Sequence, residues 1–201
     1  MSISIPCAVF QRLSHCAFRP TDVTGNIAPR PALACVRIEI ENRTKLAIAA
    51  NGHIMAIENL GDTDEPDAMF NIGITPTLLE RCGQEAPYNG VITVANLVAK
   101  TTFGFTEMSI SSQDYVDWRK AVPTFLPKKS LGGVMFDGEQ INRLVKSSPS
   151  GFIVLQQHFD KSRPVIARDI ADPNWLGVFM VQDPETDTPA ELPKWISHAS
   201  A

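Results

Sequence analysis

Nucleophiles, bases and metal ligands come first, because their types and spacing decide whether the chain could be a catalyst. Cysteines stand at Cys7, Cys16, Cys35 and Cys82, with four histidines scattered along the chain. No two cysteines form a Cys-x-x-Cys pair and no histidine sits at zinc-ligand spacing, so no metal site is expected. Cys7 and Cys16 fall in an apolar helical pattern and Cys35 in a strand pattern. They read as small buried hydrophobes in a reducing, cytoplasmic compartment. One nucleophile–base pairing stays open, Cys16 with His53, and it would suit a small hydrolase. The usual enzyme signatures are missing: there is no Gly-rich phosphate loop, no His-Glu-x-x-His and no Gly-x-Ser-x-Gly. Carboxylates gather in residues 61–67 and after residue 183, where solvated charge is the ordinary explanation. The expectation is therefore a protein with no catalytic residues and no cofactor.

Composition fits a binding protein equally well. The 201 residues are 44% apolar and 20% charged, which is ordinary for a globular chain. No run approaches 18 apolar residues and no basic flank precedes the short apolar start, so neither a membrane span nor a signal peptide is expected. The net charge is −4. Asp183, Glu185, Asp187 and Glu191 against Lys194 give residues 183–201 a balance of −3, leaving −1 for the rest. A local basic face is compatible with that near-neutral remainder. Residues 183–201 are acidic and Pro-rich, so they read as an extended tail ending in the apolar pair Trp195-Ile196.

The elements that would position any site repeat along the chain. Residues 8–18 carry Phe10, Leu13, Ala17 and Phe18 at roughly helical spacing, and Pro20 stops them. Residues 33–41, 45–50 and 53–59 then read as three antiparallel strands. After the acidic linker the order returns. Residues 69–74 are strand-like, Thr75 caps a helix with Pro76 at its first position, and Gly83 ends it. Residues 91–97, 99–105 and 107–112 read as three more strands. A third pass runs from a strand at 134–136 through a helix at 138–147 capped by Asp137. It ends in strands at 152–159, 164–170 and 175–181. The apolar runs 152–155 and 178–181 are what strands covered on both faces would show. The chain thus predicts an α+β fold of three strand–helix–three-strand units, each about 50–65 residues long.

Two stretches go beyond pattern, Ala49-Ala50-Asn51-Gly52-His53-Ile54-Met55-Ala56 and Asp114-Tyr115-Val116-Asp117-Trp118-Arg119-Lys120-Ala121-Val122-Pro123. They resemble two signatures of the bacterial DNA polymerase III beta subunit, the sliding clamp. These are a Thr-Asp-Gly-His-Arg-Leu turn in its middle domain and a Phe-Pro-Asp-Tyr-Arg-x-x-x-Pro linker to its last domain. The strand Trp175-Leu176-Gly177-Val178-Phe179-Met180-Val181 resembles that family's final strand, apolar-Val-Met-Pro-Met. The resemblance covers about residues 6–182. It departs at Ala50-Asn51 and Ile54 in the turn, at Val116 in the linker, and at Val181 and Gln182. It implies a clamp-like domain of two units over residues 1–125 and a third unit, half a domain, over 126–182. Residues 183–201 follow as the tail. A full clamp subunit has three domains of two units each. A replicon such as a phage is a natural home for a shortened clamp.

What the resemblance implies about chemistry is recognition. In clamps a cleft between the middle and last domains accepts a short linear peptide from polymerases and other replication proteins, an apolar groove capturing one or two large side chains. The matching positions are Gly52, His53, Met55, Lys120, Ala121, Val178 and Met180. Two thioethers would suit a groove that tolerates varied peptides. Clamp helices also line a hole and meet DNA phosphates without reading sequence. The corresponding cations are Arg12, Arg19, Arg81, Arg143 and Lys146. Two versions of the function follow. In one the chain self-associates around DNA as a processivity factor, four copies of three units supplying the twelve units of a ring. In the other it captures clamp-binding peptides, or modulates a host clamp, without encircling DNA. An unfinished half-domain leaves strand edges open, so a homo-oligomer is expected, most simply a two-fold dimer with the third units facing each other.

Overall fold

The computed structural model describes residues 2–19, 30–95, 98–105, 110–111, 115–122, 137–156 and 164–180. The first unit is β1 (Ile3–Pro6), α1 (Cys7–Leu13) with a 3-10 turn after it, then β2 (Cys35–Glu41), β3 (Thr44–Ala50) and β4 (Ile54–Asp62). The second is β5 (Ala68–Gly73), α2 (Pro76–Glu85), β6 (Val91–Ala95), β7 (Val98–Thr101) and β8 (Gly104–Phe105). The short strand β9 (Ile110–Ser111) follows. The third unit is α3 (Gly138–Ser147), β10 (Ile153–Gln156), β11 (Val165–Asp169) and β12 (Trp175–Phe179). The class is α+β with antiparallel sheets, as the order of elements predicts.

The units interlock by exchanging their leading strands. β1 does not pair with its own unit but with β6, Ile3 opposite Val94 and Pro6 opposite Val91. β5 returns the exchange by pairing with β2, Cys35 opposite Gly73 and Ile40 opposite Ala68. One sheet therefore runs β1-β6-β7-β8 and the other β10-β11-β12-β4-β3-β2-β5-β9. The third unit joins through its last strand, β12 against β4, with Val178 opposite Met55 and Phe179 opposite Ile54.

Alternation divides the buried side chains between the two faces of the larger sheet. Ala47, Ala49, Trp175 and Phe179 join the main core with Phe10, Leu13, Leu78 and Leu144 of the helices. Ile48, Ala50, Met55 and Val178 point to the other face and meet Tyr115, Trp118 and Ala121. That second cluster, sheltered by a segment without regular strand or α-helix, is where the candidate site lies.

Caps explain the starts of α2 and α3. Thr75 Oγ1 accepts the Leu78 N–H at 3.2 Å with Pro76 at the first position, and Asp137 accepts the Glu139 N–H. Three sequence readings are corrected. Gly83 does not end α2, which continues to Glu85. A Cβ there would come 3.1 Å from the Gln11 side chain, so the glycine serves the close crossing of α1 over α2. Residues 99–105 are not one strand: the chain turns at Thr102–Phe103, and Thr101 Oγ1 donates to the Gly104 carbonyl at 3.1 Å to close a hairpin. The run at 152–155 is not covered on both faces, for Phe152, just before β10, is 66% exposed and Val154 on β10 is 50% exposed, β10 being an end strand of its sheet among the described residues. The leading strand read at 134–136 and the tail at 183–201 lie outside the described residues. Among the described residues no helix is long and apolar enough to cross a membrane.

Candidate functional site

Six of the seven predicted groove residues meet in one place. Gly52, His53, Met55, Ala121, Val178 and Met180 line a cavity of about 240 Å³. Its remaining wall is Leu33, Ala50, Ile54, Val116, Asp117 and Trp118. Pockets for drug-sized ligands span roughly 300–1,000 Å³, so this space suits one or two side chains rather than a whole small molecule. Lys120 does not line it. Its side chain is 83% exposed and its Nζ lies 3.0 Å from Asp117, at the rim.

The turn between β3 and β4 is built by Asn51. Its Oδ1 accepts the N–H groups of His53 and Ile54 at 2.9 and 3.0 Å, and its Nδ2 donates to Gln140 of α3 at 2.8 Å. A side-chain amide thus does what a carboxylate would do on the turn and also ties it to the third unit. Gly52 adopts φ +97°, and a Cβ would fall 2.1 Å from Arg30 Nη1, so this position admits only glycine without rearrangement. The Met180 N–H donates to the His53 carbonyl at 2.8 Å and fixes the end of β12 against the turn.

The fourth wall is the segment 115–122, held down by Arg119. Its guanidinium donates to Glu39 and Glu41 of β2, both at 2.8 Å, and lies 4.5 Å from the centre of the Trp118 ring. Arg37, 2.6 Å from Glu39, covers the Tyr115 ring at 5.2 Å. Burial opposes the charge on Glu39, but its hydrogen bond from Arg37 and the nearby Arg119 outweigh burial and hold its pKa below the ordinary value. Trp118 and Arg119 stand inside the linker stretch, yet the resemblance singled out only Lys120 and Ala121 there. An aromatic beside an arginine, opposite two glutamates on a strand, was the available signal. Leu33 and Ala50 gave none.

The predicted DNA cations part company. Arg143 is corrected: it is 3% exposed, and its guanidinium donates to the carbonyls of His15 and Ala17 at 2.7 and 2.5 Å. It staples the turn after α1 to α3 and presents no charge to a phosphate. Arg12 reaches both carboxylate oxygens of buried Glu58, at 2.8 and 3.0 Å. Burial pushes the Glu58 carboxyl up and Arg12 pulls it down, the net being a raised pKa. Arg19, Arg81 and Lys146 are exposed, Arg19 lying beyond the 3-10 turn after α1 and not on a helix. Arg19 and Lys146 lie close enough to His15 that, after burial, their charges and that of Arg143 hold the imidazole pKa below its ordinary value. Arg81 stands apart, in an open recess with Tyr88 and Phe103 at the end of α2.

The cysteines are buried and unpaired by disulfides. The Cys16 thiol, which the hydrolase reading needs, donates toward the Arg143 carbonyl at 3.9 Å, and burial pushes its pKa up to about 12. A thiol so held is a poor nucleophile at neutral pH. Among the described residues no group of three or more His, Cys, Asp or Glu side chains is placed to hold a metal ion.

No protein-family model matches the chain, and no curated protein does. Solved structures do. The DNA polymerase III beta subunit of Thermotoga maritima superposes with a TM-score of 0.65 at 11% identity, over 92% of this chain and 66% of that one. A DNA polymerase sliding clamp from Pseudomonas aeruginosa gives 0.65 at 12% identity, over 92% and 67%. The DNA polymerase III beta chain of Streptococcus pneumoniae gives 0.65 at 10% identity, over 92% and 65%. The chain has the sliding-clamp fold and spans about two thirds of the length of these clamps.

Proposed function

We propose that this chain is a non-enzymatic, clamp-like replication protein that captures short peptides of polymerases or other replication proteins in the cavity between its first and third units. The observation that carries the reading is the convergence of the turn at Gly52–His53, the end of β12 and segment 115–122 on one apolar space. The fold shared with sliding clamps supports it. The groove is rigid where the backbone sets register and soft where Met55 and Met180 meet the guest. Copies associate around DNA as a processivity factor, Arg19, Arg81 and Lys146 supplying sequence-independent phosphate contact. The test is fluorescence anisotropy with a synthetic peptide carrying the clamp-binding segment of a bacterial replicative polymerase. Saturable binding lost in Val178→Glu supports the reading, and equal binding by both proteins contradicts it.

A second reading keeps the peptide cavity and drops the ring: the chain captures clamp-binding peptides or modulates a host clamp without encircling DNA. The internal engagement of Arg143 and Arg12 favours it, since two of the five predicted cations are not offered to phosphate. Retention on a nicked circular plasmid, released by linearisation, separates the two. A topological ring slides off the ends, and a protein that only touches DNA does not distinguish the forms.

A further inference from the structure

We propose that the open recess at the end of α2 holds a nucleobase that bears an amino group, with the linked phosphate on Arg81. The recess measures about 400 Å³ and is lined by Arg81, Gln84, Glu85, Tyr88 and Phe103. Small-molecule sites span roughly 300–1,000 Å³, so this one has room for a flat ring that the peptide cavity lacks. Two elements build it. α2 ends at Glu85 and runs through a 3-10 turn, Ala86–Tyr88, into Asn89 at φ 55°. The hairpin of β7 and β8 supplies Phe103 at its turn. The Tyr88 and Phe103 rings meet edge to face, 6.4 Å between centres and 87° between planes, and both are exposed. Exposed ring faces are what a base stacks on.

Glu85 is the second, independent observation. It is 3% exposed, and the Thr101 hydroxyl lies 2.5 Å from its Oε1. Its Oε2 has no hydrogen-bond partner among the described residues. Gly90 gives the carboxylate its place: a Cβ there would come 2.5 Å from the Glu85 Cβ and 3.0 Å from Oε2. A buried acceptor without a donor is costly, and a ligand N–H removes that cost. Water does not reach this oxygen, so the exposed Gln84 and Tyr88 side chains that share the recess shift to admit the donor.

Charge selects the ligand. Glu80, 3.3 Å from Gln84 Nε2, and Glu85 stand against one guanidinium, Arg81. Two carboxylates and one arginine do not hold a phosphate by themselves, so the ring must lead and the phosphate follow. A Cβ at Gly104 would lie 3.7 Å from Arg81 Cδ and Nε, so the arginine stem runs over the hairpin that carries Phe103. Ring faces, an open acceptor and a guanidinium together fit a flat ring with N–H donors and a tethered anion. Adenine, cytosine and guanine each present an amino group, whereas thymine flanks its one N–H with carbonyl oxygens that the carboxylate repels. The base belongs to a free nucleotide or to an unstacked position of single-stranded DNA. The proposal deepens the DNA-contact part of the clamp reading at Arg81, adding a choice of base that phosphate contact lacks, and is independent of the peptide cavity.

The test is fluorescence anisotropy with labelled oligo-dC and oligo-dT pentanucleotides, and deoxycytidine monophosphate as competitor. The oligo-dC should bind saturably and several-fold more tightly than the oligo-dT. Phe103→Ala should weaken oligo-dC binding about tenfold and leave the urea midpoint in place. Glu85→Gln puts an amide donor where the carboxylate stood and should turn the preference toward oligo-dT. Displacement by the mononucleotide would make a free nucleotide sufficient, and oligo-dC binding that resists it would make single-stranded DNA the source. Equal affinity for the two pentanucleotides, or binding indifferent to Phe103→Ala, would overturn the proposal. So would no binding of either, which would leave the aromatic pair as a protein contact. Val178→Glu should bind oligo-dC unchanged, so this reading and the peptide reading can fail separately; a loss there would place the base in the other cavity and overturn this one.

Discussion

The predicted peptide groove and the predicted DNA-facing cations were both read from the same resemblance, and the structure arranges the two sets differently. Six of seven predicted groove residues converge, while of five predicted cations Arg143 is buried and Arg12 is paired with Glu58. The difference lies in the side chains. Val178, Ala121 and Gly52 have little reach, so a backbone position nearly fixes where each contributes. An arginine has a long stem and five donors, and from one helix position it can face solvent or fold back onto carbonyls. Arg143 folds back because the turn after α1 leaves the His15 and Ala17 carbonyls beside α3 with no strand to satisfy them.

That contrast can be broken or sharpened by substitution. Arg143→Leu strands two buried carbonyls and should cost about 3 kcal/mol of stability; a urea denaturation series showing less than ~1 kcal/mol would return Arg143 to the surface cations. Met180→Ala, at a residue 44% exposed, should leave the urea midpoint in place and weaken peptide binding about tenfold, or ~1.4 kcal/mol. Arg119→Ala releases segment 115–122 from Glu39 and Glu41, so peptide affinity should fall several-fold with little loss of global stability. A Lys control should restore only part of it, because one ammonium cannot bridge both carboxylates. The double variant Arg19→Gln, Lys146→Gln should leave stability at neutral pH and peptide binding alone. It should flatten the dependence of DNA affinity on log salt by about 2 if both side chains meet phosphate.

The smallest effect belongs to His15. Its folded pKa is lowered by burial and by Arg19, Lys146 and Arg143. The unfolded imidazole, near 6.5, therefore binds its proton more readily than the folded one. Stability is full above that value and declines as pH falls through it toward the folded pKa. His15→Gln should remove this decline. Proton NMR should also show the His15 pKa rising when DNA is added, since a phosphate beside the imidazole favours its charged form.

Much of the fold was legible. Thr75-Pro76 and Asp137 announced two helices, and the strand readings at 33–41 and 45–50 marked β2 and β3. What was hidden came from partners distant in sequence. Gly83 reads locally as a helix stop, but the neighbour that explains it is Gln11 on another helix. The exchange of β1 and β5 is set by packing between units, and no local pattern encodes it. The run 152–155 looks buried because it is apolar, and its exposure follows only from the position of β10 at the end of the sheet. At the site, the Gly-His turn was legible because Gly52 has a conformational task. Arg119 was not, because its carboxylate partners are about eighty residues away on β2.

The most direct test of the central claim is methyl NMR of the chain labelled at its six methionines, titrated with the polymerase-derived peptide. Met55 and Met180 line the cavity, whereas Met69 is exposed on β5, away from it. The account predicts saturable shifts at Met55 and Met180 with Met69 unmoved. Saturable binding that leaves Met55 and Met180 unmoved would contradict it.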